Sequence, residues 1–339
     1  MRKGIKILAK VLSTIILLSI FLPVLITLVL NVGAVQNAVV SRAAEFASEY
    51  MGTRVSIDRI DLDLFSRVRV QGFYVEDLER DTLLYVDRAS AAITSFNFKR
   101  DGLALHNVDA QGGKFYIREM ADGELNIRPI VAYLQNPNAK GDFRLFIDEI
   151  EAQDVEFCYE RLVHRNPEYG IDYFDMHIVA SEARVRDLGV VKGSVWMNVE
   201  DLVARERSGF TIDDIETYLR VDKGIISFEE FRAITETSSV YVPSMRIVGD
   251  DWLSYKNYID VVRMEGHVAN TTISTQDLGY FAPGLRNWDT EIRDAEATFS
   301  GVVRDLEGRL LRATIADGSS VRGTFRLVGL PEWRTARYI

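Results

Sequence analysis

The chain has 339 residues, with 40 Lys and Arg against 50 Asp and Glu and a formal net charge of −10. Hydrophobic residues make up 47% and charged residues 27%, the composition of a folding chain rather than a disordered one. The acidic balance gives no electrostatic footprint for a phosphate backbone and so excludes nucleic acid as a partner; the lone Cys158 excludes an internal disulfide framework and a cysteine-based zinc site.

Residues 1–10 carry Arg2, Lys3, Lys6 and Lys10 and no acid. Residues 11–30, VLSTIILLSIFLPVLITLVL, carry no charge at all, and none falls between Lys10 and Arg42. At about 1.5 Å per residue such a helix is roughly 30 Å long, the thickness of a hydrocarbon core. The spacing predicts a transmembrane anchor at 11–30, with Pro23 tolerated inside it. The basic residues make 1–10 a cytoplasmic tail and put the body across the membrane. A cleaved signal peptide is the competing reading. Its apolar region would run only about 7–15 residues, although Val32-Gly33-Ala34 resembles a cleavage site.

Residues 34–51 read as an amphipathic helix. Val35, Ala38, Val39, Ala43, Phe46, Ala47 and Tyr50 fall on one face, and Gly52 supplies the stop. Beyond Gly52 the period changes from 3.6 to 2. Val55 and Ile57 alternate with polar residues, the parity slips at Asp58-Arg59, and Ile60, Leu62 and Leu64 take up the alternation. Further alternating pieces are Phe115/Ile117, Leu145/Ile147, Val155/Phe157/Tyr159, Val195/Met197/Val199, Ile226/Phe228, Met245/Ile247, Val262/Met264 and Phe325/Leu327. Turn signals such as Asp122-Gly123, Asp222-Lys223-Gly224 and Asp317-Gly318 separate them. The pattern predicts a mainly β, antiparallel body over 53–339. Short helices are expected at 127–134 and at 275–285, the latter capped by Ser274-Thr275 and stopped at Pro283-Gly284.

Nothing in the chain carries a recognisable catalytic motif. His106, His164, His177 and His267 have no metal-ligand helical spacing, and there is no nucleophile elbow, P-loop or dinucleotide fingerprint. Cys158, between Phe157 and Tyr159, reads as an unreactive strand cysteine. Asp58, Asp61 and Asp63 lack the glycine and glutamate of a calcium loop. The expectation is a non-enzymatic protein with no metal and no cofactor. What remains is an apolar strand surface, for which Ile57, Leu62, Leu64, Phe115, Ile117, Val155, Phe157, Val195 and Met197 are the candidate lining. Such a surface must meet another sheet, close on itself or meet lipid.

The ordered set of features resembles the AsmA-like superfamily, and within it the translocation and assembly module proteins of the TamB type. The likeness begins with the anchor and the helix VQNAVVSRAAEFASEY. It continues through Met51-Gly52, Val55, Ile57 and Ile60 to the acidic turn Val75-Glu76-Asp77, and then to the D-G-x-x-N step Asp122-Gly123-Glu124-Leu125-Asn126. Farther on, ISTQDLGYFAPGL and FRLVGLPEW resemble members from Bacteroides-type bacteria. The resemblance implies a bacterial inner-membrane protein with a periplasmic body, whose β-sheet curls into an apolar groove for phospholipid acyl chains in outer-membrane biogenesis. The alternative it implies is an assembly factor that helps outer-membrane or autotransporter proteins insert, with an outer-membrane barrel partner of the Omp-assembly type. Relatives of this type are several times longer, so the resemblance also implies that the groove continues beyond residue 339 and that missing C-terminal strands would meet that partner.

Overall fold

The computed structural model describes residues 52–339 except 63–66, 98–101, 129–143, 163–166, 192, 316–317 and 331–334, together with scattered positions between 33 and 49. The predicted tail and anchor at 1–30, Leu64, His164 and nearly all of the expected helix at 127–134 lie outside the described residues. Among those described, no helix is long and apolar enough to cross a membrane. The described positions between 33 and 49 are helical. Ser48 ties this stretch to the first strand, donating to Ala44 O at 2.7 Å and accepting from Val55 N at 2.8 Å.

The body is one large mixed sheet of seventeen strands. In chain order they are β1 Val55–Ser56, β2 Arg59–Leu62, β3 Arg67–Glu76, β4 Thr82–Asn97, β5 Gly102–Arg118, β6 Arg144–Glu160, β7 Asp175–Val191, β8 Ser194–Glu206 and β9 Thr211–Ile212. They continue with β10 Asp214–Asp222, β11 Ile225–Ile234, β12 Ser239–Val248, β13 Arg263–Ser274, β14 Glu291–Val302, β15 Asp305–Ile315, β16 Ser320–Val328 and β17 Arg337–Tyr338. Each strand from β3 to β8 pairs with the next, β8 carries both β9 and β10, and β10 to β17 again pair in sequence. β1 and β2 both lie on β3. One pairing departs from the antiparallel expectation. β5 and β6 run parallel, Gly102 against Arg144 through Arg118 against Glu160. A parallel pair needs a crossover of a dozen or more residues, which residues 119–143 supply.

We call the end of the strands at the β3–β4 turn the front and the opposite end the back. Two short helices interrupt the second half of the sheet. α1 (Tyr258–Val261) lies in the β12–β13 connection at the back, preceded by a 3-10 turn, Trp252–Asn257. α2 (Thr275–Phe281) lies in the β13–β14 connection at the front. Ser274 caps α2 by accepting from Gln276 N, and a 3-10 turn, Pro283–Leu285, follows.

The strands are longer than simple alternation allows, because bulges reset their parity. β6 presents Leu145 and Ile147, then Ile150 and Ala152, then Val155, Phe157 and Tyr159 to one face. The last step in that series crosses Asp154, whose φ is +54°. Asn107, Asp187, Asp201, Glu230, Asn270 and Asp294 stand at comparable parity steps with positive φ, as do Gly72 and Gly112. Asn, Asp and Gly dominate because they tolerate the left-handed region at least cost. Each extra residue bends its strand while keeping apolar side chains on the same face.

Buried apolar residues are scattered over the described residues, Ile259 and Val262 at the back among them, and one cluster of them sits at the front. Val55, Val75 and Leu83 form it, with Phe73, Leu84 and Phe115 against them. Beside it, Asp77 is buried and its carboxylate accepts from Glu79 N, Asp81 N, Arg118 Nε and Nη2, and Asn126 Nδ2, at 2.8–3.2 Å. Asn126, fully buried, also accepts from Arg118 N and donates to Tyr116 O, both at 3.0 Å. The acidic turn and the D-G-x-x-N step thus meet in one hydrogen-bonded knot that fixes the start of the crossover.

Candidate functional site: an uncovered apolar face

Cross-strand register turns separate sequence fragments into rows. One row runs Leu103, Leu145, Val190, Val195, Val221, Ile226, Ile247, Met264, Gly301, Leu306, Leu327, each opposite the next, from β5 to β16. The adjoining row runs Met197, Leu219, Phe228, Met245, Gly266, Phe299, Gly308, Phe325. Neither contains a polar side chain. Toward the front of the first half, Val75, Leu84, Phe115, Phe157 and Ile178 form a third row. Phe115 and Phe157 have ring centroids 6.1 Å apart.

The opposite face at the same level reads Trp196, Arg220, Ser227, Arg246, Glu265, Ser300, Glu307, Arg326, with Arg246 on Glu265 at 2.8 Å. The sheet therefore has one apolar and one charged face. No second layer covers the apolar one among the described residues, and every member of the Leu103–Leu327 row is only half-buried. In a two-layer sandwich those side chains would be fully enclosed.

Within this face two glycines do specific work. A Cβ on Gly266 would stand 2.5 Å from the Phe299 ring, and one on Gly308 would stand 2.3 Å from the Phe325 ring. The rings lie across their glycine neighbours, which keeps the apolar floor low in the second half.

Of the residues singled out from sequence, Phe115, Ile117, Val155, Phe157, Val195 and Met197 stand on this one face. Ile57 lies half-buried between β1 and β2, Leu62 pairs through its backbone with Val68, and Leu64 is outside the described residues. Alternation alone did not show Leu103, Val190, Val221 or Leu306 as part of the surface. For Leu103 and Val190 the signal that finds them is a three-residue step, over Asn107 and Asp187, between alternating pieces.

Distant elements touch across the sheet. Ile171, in the β6–β7 loop, donates its N–H to Tyr280 O of α2 at 2.9 Å. Tyr169 stacks on Tyr280 with centroids 5.3 Å apart, Phe210 packs on both Tyr280 and Phe281, and the Arg286 guanidinium lies 5.0 Å from the Tyr169 ring centre. Lys256, in the back connection after β12, meets Glu124, beyond the front of β5, at 2.7 Å. The winding of the sheet thus brings this back connection of the second half over the front of the first.

Cys158, His106, His177 and His267 stand on the charged face. Cys158 pairs across the sheet with His177 and Tyr116. Burial, helped by nearby Glu156 and Asp175, pushes its thiol pKa up, the opposite of an activated nucleophile. His177 Nε2 is 3.6 Å from Glu156 and His106 contacts Asp148. Among the described residues no group of three or more His, Cys, Asp or Glu is placed to hold a metal. The chain matches no protein-family model, no curated protein and no solved structure.

Proposed function

We propose that the sheet curls into a trough whose apolar face holds phospholipid acyl chains, and that the protein is an inner-membrane-anchored, non-enzymatic lipid carrier or conduit with its body in the periplasm. The observation that carries this reading is the unbroken apolar row from Leu103 to Leu327 with no layer over it among the described residues. Acyl chains gain about 0.8 kcal/mol per buried CH₂ and need no headgroup chemistry to stay there. Curling is supported by the contact between Lys256 and Glu124 at 2.7 Å. Six strand spacings separate β5 from β12, roughly 29 Å on a flat sheet at about 4.8 Å each, and the two groups belong to opposite ends of the strands. Bulges at Asp154, Asn270 and Asp294 supply the bending.

A second reading, an assembly factor acting with an outer-membrane barrel, has one observation in its favour. The outer backbone edge of β16 from Ser320 to Phe325 pairs with no described strand and is open to strand addition. Native mass spectrometry of the full chain, extracted from membranes in mild detergent, separates the two. Co-purified phospholipid is the expected result. A lipid-free chain bound to a barrel protein would replace the first reading with the second.

A further inference from the structure

The sheet has two open edges, and they differ in charge. β2 lies on β3 by one side, and β17 covers β16 only from Leu327 onward. Among the described residues, the outer edges of Arg59–Leu62 and of Ser320–Phe325 therefore pair with no strand. Residues 56–63 hold three acids, Asp58, Asp61 and Asp63, against Arg59 alone; residues 319–326 hold Arg322 and Arg326 and no acid. Asp58 at the first edge, and Arg322 with its neighbour Arg309 at the second, are exposed and enter no ion pair among the described residues. Asp61 is held by Arg59 at 2.7 Å, which leaves its carboxylate able to accept from a second donor.

The edges also match in pattern. On β16, Val321, Gly323 and Phe325 alternate onto the apolar face, with Arg322 and Thr324 on the charged one. Val321 is 39% exposed at this edge. On β2, Ile60 continues the apolar row of Val70, Ala89, Ala110 and Ala152, and Asp61 stands on the charged face in the row of Arg69, Ser90 and Asp109.

Both edge strands run from front to back. A second copy in the same orientation can therefore add its β2 to β16 as a parallel strand, apolar face continuing apolar face. With Ile60 level with Val321, Asp61 comes level with Arg322, and opposite charges meet across the junction. A two-fold pairing of β16 with itself would set arginine against arginine in a stretch that has no acid.

We infer that the protein assembles head to tail, β16 of one copy on β2 of the next. The pairing is heterologous, so it can repeat, because each copy presents both edges. It carries the apolar face on from copy to copy, whatever that face holds.

The test uses the full chain in a Cys158→Ala background, expressed as two differently tagged copies. One carries Ile60→Cys and the other Val321→Cys, and a short membrane-permeant bismaleimide joins them in intact cells. Leu62→Cys with Gly323→Cys is the second pair, and no atom lies within 4 Å of where a side chain at 323 would begin. Dimers carrying both tags are expected from each pair, and none from Val321→Cys or Gly323→Cys copies alone. Arg322→Glu should cut the mixed product several-fold, and Asp61→Lys in the other copy should restore it. Products from the 321 or 323 copies alone, adducts of those positions with another protein only, or no product from either pair overturns the head-to-tail assembly. A mixed product that Arg322→Glu leaves unchanged overturns it as well.

Discussion

At the front of the molecule single residues add a hydrogen-bonded network to the apolar cluster of Val55, Val75 and Leu83. Asn126 illustrates the logic: fully buried, it satisfies Arg118 N, Tyr116 O and the Asp77 carboxylate at once. Replacing it with Ala removes a partner from all three, and a buried unsatisfied group costs about 1–3 kcal/mol. Chemical denaturation of Asn126→Ala should show a loss of about 2–3 kcal/mol. Arg128→Ala, on the exposed side of the same turn, should stay within about 0.5 kcal/mol. Glu119 adds a pH dependence. The bidentate hydrogen bonds from Arg161 hold its carboxyl below the usual range, against a smaller opposing effect of burial. A carboxyl with a lowered folded pKa contributes stability above its unfolded value and loses it as pH falls through the folded one. The destabilisation caused by Glu119→Gln should therefore be full at neutral pH and fade as pH drops below the carboxylate range. A constant difference from pH 7 to pH 3 would sink that assignment.

At the scale of the element, the bulge is the unit that made strands hard to read. Leu145/Ile147 and Val155/Phe157/Tyr159 look like two short strands in sequence, yet they are one seventeen-residue strand, β6. Alternation is a period-2 signal, and each inserted residue reverses its phase, so an unbroken strand appears as fragments on opposite faces. Local signals with no long-range component fared better: Ser274 caps α2 where the sequence places a helix start. The parallel β5–β6 pairing could not be read, because the pairing partner lies 42 residues away and nothing local distinguishes a parallel neighbour. The bulge account makes its own prediction. Asp154 has φ +54°, a conformation that β-branched residues adopt at a cost of about 1–3 kcal/mol. Asp154→Val should destabilise by that amount and Asp154→Gly by little or nothing, measured by urea unfolding. Equal effects of the two would mean that backbone strain is not what the position selects.

For the whole molecule, the charged face and the apolar face are two sides of a single sheet, and this asymmetry is what function must use. The chain spreads its apolar residues over a long surface instead of concentrating them: few hydrophobic side chains are fully buried, and the most enclosed group is the small one around Val55, Val75 and Leu83. Alternation was enough to show that an apolar strand surface existed, and it placed Phe115, Phe157, Val195 and Met197 on it. Whether another layer covers that surface is a property of tertiary contacts that no local pattern encodes. The direct test uses a photoreactive amino acid at Met197, on the apolar face, and at Asn198, its neighbour on the charged face, in the membrane-extracted full chain. Phospholipid adducts at 197 and none at 198 are the expected result. Protein adducts alone at 197, or lipid captured equally at both positions, would contradict the trough.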